Sequence, residues 1–376
     1  MLHSLSTIDF ILLSGLGIIF LIQCYFYLSV FGKFAFYKAK PFVKTNNEPV
    51  SIIIAARNEY DNLQRSLPTI LNQDYPEFEV IVINHCSWDA SQQLLEDMQL
   101  QYPHLKVSQL REQEKYPTGK KFALTIGIKA AKYNQLLFTD ADCEPASNQW
   151  LALMQSRLGA NKEIVLGYSP FIKKGGFLNL FARFVSFITA IFYYSFALMG
   201  NTFMGVGRNL MYTKDLFFKH KGFANHQHIM SGDDDLFVNE AATASNVAIE
   251  INTDSFVFTE AKTTFDQYVR QKTRHMTTGK YYKPKHKQAL GIFYASLFLF
   301  YSLVIVTLIV NIFVWPIVLV IYLLRLVIQY IVFYPSAVKL TCAPVLWYLP
   351  LLDILYLFYL VFFGTQSLFI RNTKVW

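Results

Sequence analysis

The sequence predicts an α/β domain with a mostly parallel sheet, flanked at both ends by transmembrane helices. Within residues 48–260, short apolar runs alternate with polar stretches whose apolar residues recur at helical spacing, as in strand–helix units. On either side, at 8–31 and from 290 onward, lie apolar runs long enough to cross about 30 Å of hydrocarbon. A hydrophobic content of 53% and a mean hydropathy of +0.28 fit one soluble domain with a few spanning helices.

Five apolar runs and four periodic stretches make up the predicted sheet and its covering helices. The runs are apolar along nearly their whole length, which indicates strands buried on both faces. Ligands of such sheets bind beyond the carboxyl ends of the strands, so polar residues there are candidate site residues. The predicted strands are 50–56, 78–84, 105–109, 135–139 and 164–167, and the predicted helices are 59–72, 90–101, 118–132 and 148–159.

The first apolar run predicts that residues 1–32 anchor the chain in the cell membrane. No cleavage-site pattern follows the run, which indicates an uncleaved anchor. Because basic residues favour the cytoplasmic side, we expect the domain after the anchor to be cytoplasmic. The basic residues that follow the anchor are Lys33, Lys38, Lys40 and Lys44.

Further apolar runs from residue 290 onward predict that the protein crosses the membrane more than once. Residues 261–288 form a basic segment that we expect at the membrane interface. A third full crossing in the last region would place a basic tail outside, so a re-entrant hairpin is the alternative there. The predicted region 290–376 comprises spans at 290–310 and 312–333, and a third span or re-entrant hairpin at 345–363.

Residues 177–206 are ambiguous because they are long and aromatic but interrupted by polar residues. Arg183 lies within them, and a charge in a spanning helix is costly. A span is one reading of this segment. We favour a helix that lies against the sheet or the membrane surface.

The charge distribution and the cysteine spacing argue against nucleic-acid binding, a disulfide framework and a zinc site. The net charge is +8, and the basic residues cluster beside apolar spans, which favours contact with anionic lipid over nucleic acid. The four cysteines are scattered and form no C-x-x-C pattern, so we expect neither a disulfide framework nor a zinc site.

The strongest chemical motif is Asp140-Ala141-Asp142, directly after the predicted strand QLLFT. Two carboxylates at one point repel each other unless a cation joins them. Mg²⁺ and Mn²⁺ prefer such oxygen ligands and leave positions open for phosphate oxygens. The motif therefore predicts a metal site for a reaction with a diphosphate leaving group, with a solvated acidic turn as the alternative.

A second acidic motif is Ser231-Gly232-Asp233-Asp234-Asp235-Leu236. Three adjacent aspartates cannot all be buried and ionised, and one or two of them suit the start of a helix. One aspartate is a candidate general base that takes a proton from an acceptor hydroxyl. An isolated aspartate titrates near pH 4, so we expect the base to be ionised at pH 7 without a shifted pKa.

Three further groups of polar residues are candidates for ligand contacts. Gln271 and Arg274 lie three apart, on one face of a predicted helix, with His275 beside them. They suit a diphosphate and sugar hydroxyls, or else belong to a basic helix on the lipid surface. Lys120 opens a helix, where phosphate binds well, and Ala56-Arg57-Asn58-Glu59 follows the first strand.

Together these motifs resemble the family 2 glycosyltransferases, an inverting group of GT-A fold that includes cellulose, chitin and hyaluronan synthases. The resemblance runs from about residue 50 to 282. SIIIAARNE, NQDYPEFEVIVIN with HCSWD, and TGKKFAL are similar to its nucleotide-binding segments, and DAD is similar to its D-x-D. GDDDL resembles its acidic motif, and Gln271-x-x-Arg274-His275 its Q-x-x-R-W.

The resemblance implies a transferase with a Rossmann-like GT-A domain, Mn²⁺ or Mg²⁺, and a nucleotide sugar carrying UDP or GDP. It assigns the base to Asp233 if the D-x-D-L spacing is counted, or to Asp234 by the G-D-D spacing, and we favour Asp234. Asn84-His85 stands where the family has an acidic pair. The implied donor contacts are Arg57, Glu59, Asn84, His85, Lys120 and Asp140; the metal ligands are Asp142 and Asp140; and Gln271, Arg274 and His275 contact the acceptor or diphosphate.

Three functions fit these residues. The first is transfer of one sugar to a membrane-associated lipid or glycan acceptor in polysaccharide biosynthesis. The second is processive polysaccharide synthesis, for which the C-terminal spans offer only a small channel. The third is a sugar-nucleotide transferase or an inactive scaffold, neither of which needs all of these motifs.

Overall fold

A computed structural model of the chain describes residues 5–39, 41, 47–111, 119–159, 161–229 and 231–369. Lys40 and Lys44 of the predicted charge pattern, and the first residue of the helix predicted at 118–132, lie outside these ranges.

The core of the protein is a seven-stranded, mostly parallel sheet, as predicted. Its strand order is β3-β2-β1-β4-β7-β6-β8, and β1 to β4 are parallel neighbours. Strand β7 runs antiparallel to both β4 and β6. The strands are β1 Val50–Ala56, β2 Phe78–His85, β3 Leu105–Leu110, β4 Gln135–Asp140, β6 Ile164–Leu166, β7 Leu210–Thr213 and β8 Val247–Ile249, and a separate pair joins β5 Cys143–Pro145 to β9 Val257–Thr259.

Alternation along β1 shows why the sheet is covered on both faces. Ile52 and Ile54 point into one buried hydrophobic cluster, whereas Ile53 and Ala55 point into the other. All four are buried, because successive side chains of a strand leave opposite faces of the sheet. The apolar runs of the sequence therefore become strands enclosed between two layers of helices.

Helices of the sheet domain cover these faces, and longer apolar helices stand at both ends of the chain. The helices are α1 Thr7–Ala35 with a π-helical stretch at Tyr25–Phe31, α2 Tyr60–Leu71, α3 Ser91–Gln101, α4 Lys120–Ala130, α5 Trp150–Gln155, α6 Phe177–Leu198, α7 Lys214–Lys219, α8 Asp235–Ala241, α9 Phe265–Met276, α10 Pro284–Val310, α11 Trp315–Lys339 and α12 Leu349–Phe369.

Five of these helices are long and apolar enough to cross a membrane: α1, α6, α10, α11 and α12. Helix α6 is the most enclosed of the five, because 67% of its most apolar stretch is buried inside the protein. It contacts strand β8 and also the first and last membrane helices, so it packs between the sheet and the membrane region. Residues 349–369 form one continuous helix rather than the two arms of a hairpin.

A buried ion pair ties the apolar helices together. Arg325 of α11 lies 2.8 Å from Asp353 of α12, and their side chains are 1% and 6% exposed. The Asp353 carboxylate also accepts hydrogen bonds from Tyr301 of α10 at 2.6 Å and from Gln329 at 2.9 Å. Arg325 donates to Tyr27 of α1 at 3.0 Å. The pair thus links four helices, and its remaining polar atoms are satisfied, as buried charges require.

Candidate active site

The carboxyl ends of β1 and β4 open into a large cavity of about 1460 Å³. Its polar walls come from the sheet edge, from the acidic motif before α8 and from helix α9. Its apolar walls come from α6, α10 and α12. This is the edge at which parallel sheets bind their ligands, and the structure gathers most of the predicted site residues there.

The D-x-D motif lies at the end of β4. Asp140 is the last residue of the strand, and Asp142 follows in the turn. Donor atoms of Asp140, Asp142 and Cys143 all lie within 4.8 Å of one another. Burial raises the pKa of the Cys143 thiol well above its usual value, and the thiol donates to Asp142 Oδ1 at 3.3 Å. The two carboxylates are therefore the hard oxygen donors, and they fit a divalent cation such as Mg²⁺ or Mn²⁺.

Lys120, at the start of α4, joins this motif to the second acidic motif. Its ammonium lies 2.7 Å from Asp140 Oδ1 and 3.1 Å from Asp233 Oδ2. Burial lowers the pKa of Lys120, but the charges of Asp140 and Asp233 outweigh it and raise the pKa overall. Burial likewise opposes ionisation of Asp140, yet Lys120 holds the pKa of that carboxyl below its usual value. Both groups are charged at neutral pH.

The three adjacent aspartates have three different environments. Asp233 pairs with Lys120. Asp234 caps helix α8: its carboxylate accepts from the Asp235 amide at 2.7 Å and from the Gly207 amide at 2.8 Å. Asp235 is 7% exposed and accepts from the hydroxyls of Tyr282, at 2.7 Å, and Thr278. Asp235 therefore anchors the chain after α9, whereas Asp233 and Asp234 are less buried than Asp235.

The pKa of Asp234 differs from the sequence-based expectation. Burial, followed by the charges of Asp233 and Asp235, raises the pKa of Asp234 to about 7. The expectation of a base that titrates near 4 is therefore wrong for this residue, because an isolated aspartate has neither burial nor like-charged neighbours. A carboxyl of this pKa is partly ionised at neutral pH.

Helix α9 closes one side of the cavity with the predicted Gln271, Arg274 and His275. Gln271 Oε1 and Arg274 Nε are buried without a hydrogen-bond partner among the described residues. The side chain of His275 is exposed, in contrast to these buried atoms of Gln271 and Arg274. Unpartnered buried polar atoms beside a cavity indicate contacts that a ligand completes.

Two predicted residues after β1 line the cavity, whereas the two predicted at the end of β2 do not. Arg57 and Glu59 belong to the lining, and burial raises the pKa of Glu59. Asn84 and His85 are instead buried within the end of β2. The Ser87 hydroxyl donates to Asn84 Oδ1 at 2.5 Å. The same hydroxyl oxygen accepts from the backbone amide of Asn58, in the turn after β1, at 2.9 Å. Asn84 thus shapes the turn that carries Arg57 and Glu59, instead of lying in the cavity itself.

The structure adds residues that the motifs did not indicate. Arg208, before β7, lines the cavity and donates to Ser169 Oγ at 2.8 Å. Lys272 of α9 lines it too, and burial followed by the charge of Arg208 lowers its pKa to about 8. Cys143 beside the D-x-D was likewise not singled out. In the sequence, the Gly-x-Gly-Arg pattern at 205–208 is the feature that could have indicated Arg208.

Comparison with known proteins gives partial matches. The profile of glycosyl transferase family 2 matches residues 51–220, which include the D-x-D but not the second acidic motif or α9. A glycosyltransferase AglE from Haloferax volcanii is 31% identical over 130 residues, or 34% of this chain and 41% of that protein. A poly-beta-1,6-N-acetyl-D-glucosamine synthase from Staphylococcus epidermidis is 33% identical over 119 residues, or 28% of this chain and 27% of the synthase. The matches thus span less than half the length of these relatives.

The fold also resembles that of a solved structure along nearly its whole length. This is the mannosyltransferase PcManGT from Pyrobaculum calidifontis in complex with GDP-Man and Mn²⁺, with a TM-score of 0.60 over 88% of this chain and 98% of that chain. At 16% identity the likeness concerns the fold alone. Residues 51–220 therefore match the glycosyl transferase family 2 profile, and the chain shares the fold of that mannosyltransferase, with helices able to span a membrane.

Proposed function

We propose that the protein is an inverting glycosyltransferase that moves a sugar from a nucleotide sugar to a membrane-associated lipid or glycan acceptor. The observation that carries this proposal is the cavity itself. The polar walls of the cavity carry the D-x-D, the acidic motif and the unpartnered groups of α9. Its other walls are formed by apolar helices. A water-soluble donor and a membrane-bound acceptor meet most directly in such a space.

The donor side of the proposal rests on charge. Asp142 and Asp140 would hold Mn²⁺ or Mg²⁺, which neutralises charge on a diphosphate leaving group when bound. Arg274 and Gln271 have buried polar atoms without partners, and they bind diphosphate oxygens and a sugar hydroxyl. The relatives named as glycosyltransferase and synthase, and the GDP-Man and Mn²⁺ of PcManGT, support a nucleotide-sugar donor and a divalent cation.

The acceptor side requires a base. Asp234 takes the proton of the acceptor hydroxyl, and the oxygen attacks the anomeric carbon from the face opposite the diphosphate. The bond between that carbon and the diphosphate oxygen breaks, and the configuration inverts, as in inverting glycoside hydrolysis. Two amide hydrogen bonds hold the Asp234 carboxylate, and its pKa of about 7 suits proton transfer near neutral pH. Asp233 is the second candidate, and its ion pair with Lys120 favours a positioning role.

A processive synthase is the second candidate function. It is favoured by the 33% identity to a poly-beta-1,6-N-acetyl-D-glucosamine synthase. The two functions differ in their products, because single transfer adds one sugar whereas processive synthesis yields a ladder or a long polymer. Mass spectrometry of the product made with excess donor separates them.

The base assignment predicts a split between neighbouring aspartates. Asp234→Asn should lower kcat by roughly 10²-fold or more, with donor affinity nearly intact, since general base catalysis contributes about that much. Asp235→Asn is the matched control: it should cost about 1–3 kcal/mol of stability through weakened buried hydrogen bonds, while kcat stays near normal. Because the base acts in its ionised form, kcat/KM of the wild type should fall as pH drops through about 7. Near-normal kcat in Asp234→Asn would contradict the assignment.

The metal assignment predicts dependence on a divalent cation. EDTA should abolish transfer from nucleotide sugars, and Mn²⁺ or Mg²⁺ should restore it. Asp142→Asn should lose both activity and Mn²⁺ binding measured by electron paramagnetic resonance, while Glu77→Gln, at the opposite end of the strands, should keep both. Full activity of Asp142→Asn in chelator would show that Asp142 holds no essential ion.

The lysines at and beyond the end of α1 predict a cytoplasmic sheet domain. In intact cells, a cysteine placed at the exposed Gln92 should resist a membrane-impermeant thiol reagent. A cysteine at Ile312, 57% exposed in the turn between α10 and α11, should react, because that turn lies across one span from the domain. The parent protein with its natural cysteines gives the background. The opposite labelling pattern would reverse the orientation.

A further inference from the structure

Two cations on the cavity wall meet over one aromatic ring. The guanidinium carbon of Arg208 lies 5.4 Å from the centre of the Phe171 ring, and Lys272 Nζ lies 6.0 Å from the same centre. Lys272 Nζ also lies 5.5 Å from the centre of the Tyr268 ring. The fold brings these residues together from three separate segments, because Phe171 follows β6, Arg208 precedes β7 and Lys272 belongs to α9.

Neither cation has an acidic partner within ion-pair distance among the residues that the structure describes. Arg208 donates to the hydroxyl of Ser169 at 2.8 Å and to its carbonyl at 3.4 Å, both uncharged. The charge of Arg208 reaches Asp140 only through space. Burial and the charge of Arg208 are the influences on the pKa of Lys272, and both lower it. Two like charges at one point repel each other unless an anion joins them.

The position of Lys272 on α9 separates this pair from the donor contacts. Gln271, Arg274 and His275 are spaced three and four apart, so they share one face of the helix. Lys272 and Arg274 are two apart, about 200° around the helix axis, and do not face each other. Lys272 lies three residues before His275 and shares a face with it, so an anion between Arg208 and Lys272 approaches α9 from the His275 side and not from that of Arg274.

The pair stands where the polar part of the cavity meets the membrane helices. Phe171 and Tyr268 belong to one buried cluster, against which Tyr359 of α12 packs. From there the cavity continues along Tyr294 of α10 and Tyr356 of α12, on helices apolar enough to span a membrane. A chain attached to an anion at the pair would run along this apolar wall.

We propose that Arg208 and Lys272 form a second anion subsite, which binds the phosphate of an acceptor whose apolar chain lies along α10 and α12. This inference rests on the proposed function, because it names the class of acceptor as a lipid phosphate. A neutral glycan end would leave both cations without a counter-ion. The subsite therefore discriminates among acceptors by charge.

A binding assay tests the subsite without requiring sugar transfer. The full-length protein in nanodiscs of zwitterionic lipid is titrated with decyl phosphate, decanol and inorganic phosphate. The wild type should bind decyl phosphate at least about tenfold more tightly than either other probe, since a charge-assisted hydrogen bond is worth about that factor. Arg208→Gln and Lys272→Gln should lose this preference. Lys173→Gln, an exposed position two residues from Phe171, is the matched control and should keep it.

Three results would overturn the subsite. One is found by titrating a nucleoside diphosphate in the same nanodiscs: if the two variants lose affinity for it and keep their affinity for decyl phosphate, the cations serve the donor. Another is equal binding of decyl phosphate by all four proteins. The third is equal binding of decyl phosphate and inorganic phosphate by the wild type, which would show that the apolar chain contributes nothing to binding. Absence of turnover with every nucleotide sugar would refute the proposed function instead, and the binding preference would still report on the subsite.

Discussion

The contact of the Lys120 ammonium with Asp140 and Asp233 is the interaction on which the rest of the site depends. It joins carboxylates from two motifs far apart in sequence, at 2.7 and 3.1 Å. Asp234 and Asp235 follow directly, and both have raised pKa values because burial and like charges oppose their ionisation. Without a cation between them, the acidic groups of β4 and of the segment before α8 would repel each other. Lys120 thus allows one cavity to hold a candidate metal-binding motif and a candidate base together.

The same cavity connects the sheet domain to the membrane helices. Helix α9 contributes Gln271 and Arg274, and its Thr273 donates to Gln366 of α12 at 3.0 Å. Helix α12 is in turn held by the buried pair of Arg325 and Asp353. The membrane helices therefore position part of the polar wall of the site, in addition to anchoring the protein. Under the proposed function, this arrangement would place an acceptor held in the bilayer beside the polar residues of the sheet domain.

The sequence predicted the elements that apolar patterning controls. All five predicted strands lie where the structure has strands, because residues such as those of Val50–Ala56 are buried on both faces. The strands β5, β7, β8 and β9 were not predicted, since each is short and is not a continuous run of branched aliphatic residues like β6. Within the site, motifs at a strand end and at two helix starts indicated Asp140, Lys120 and the acidic trio, because a single short segment carries each of them.

Features that arise only from tertiary contacts were not predictable in the same way. The pKa of Asp234 depends on burial and on two neighbouring charges in the folded state. The pairing of Arg208 with Lys272 over Phe171 depends on three segments that no local pattern relates. Asn84 occupies a strand-end position typical of ligand contacts, but its side chain is used to hold Ser87 and the neighbouring turn.

A double-mutant cycle on Lys120 and Asp233 tests most directly whether the two acidic motifs form one unit. The quantity measured is kcat/KM for sugar transfer by Lys120→Met, Asp233→Asn and the double variant. If Lys120 joins the motifs, the double variant should lose no more activity than Lys120→Met alone, because residues that act as a unit are strongly non-additive. A loss equal to the product of the two single losses would show that Lys120 and Asp233 act independently, and would contradict the account.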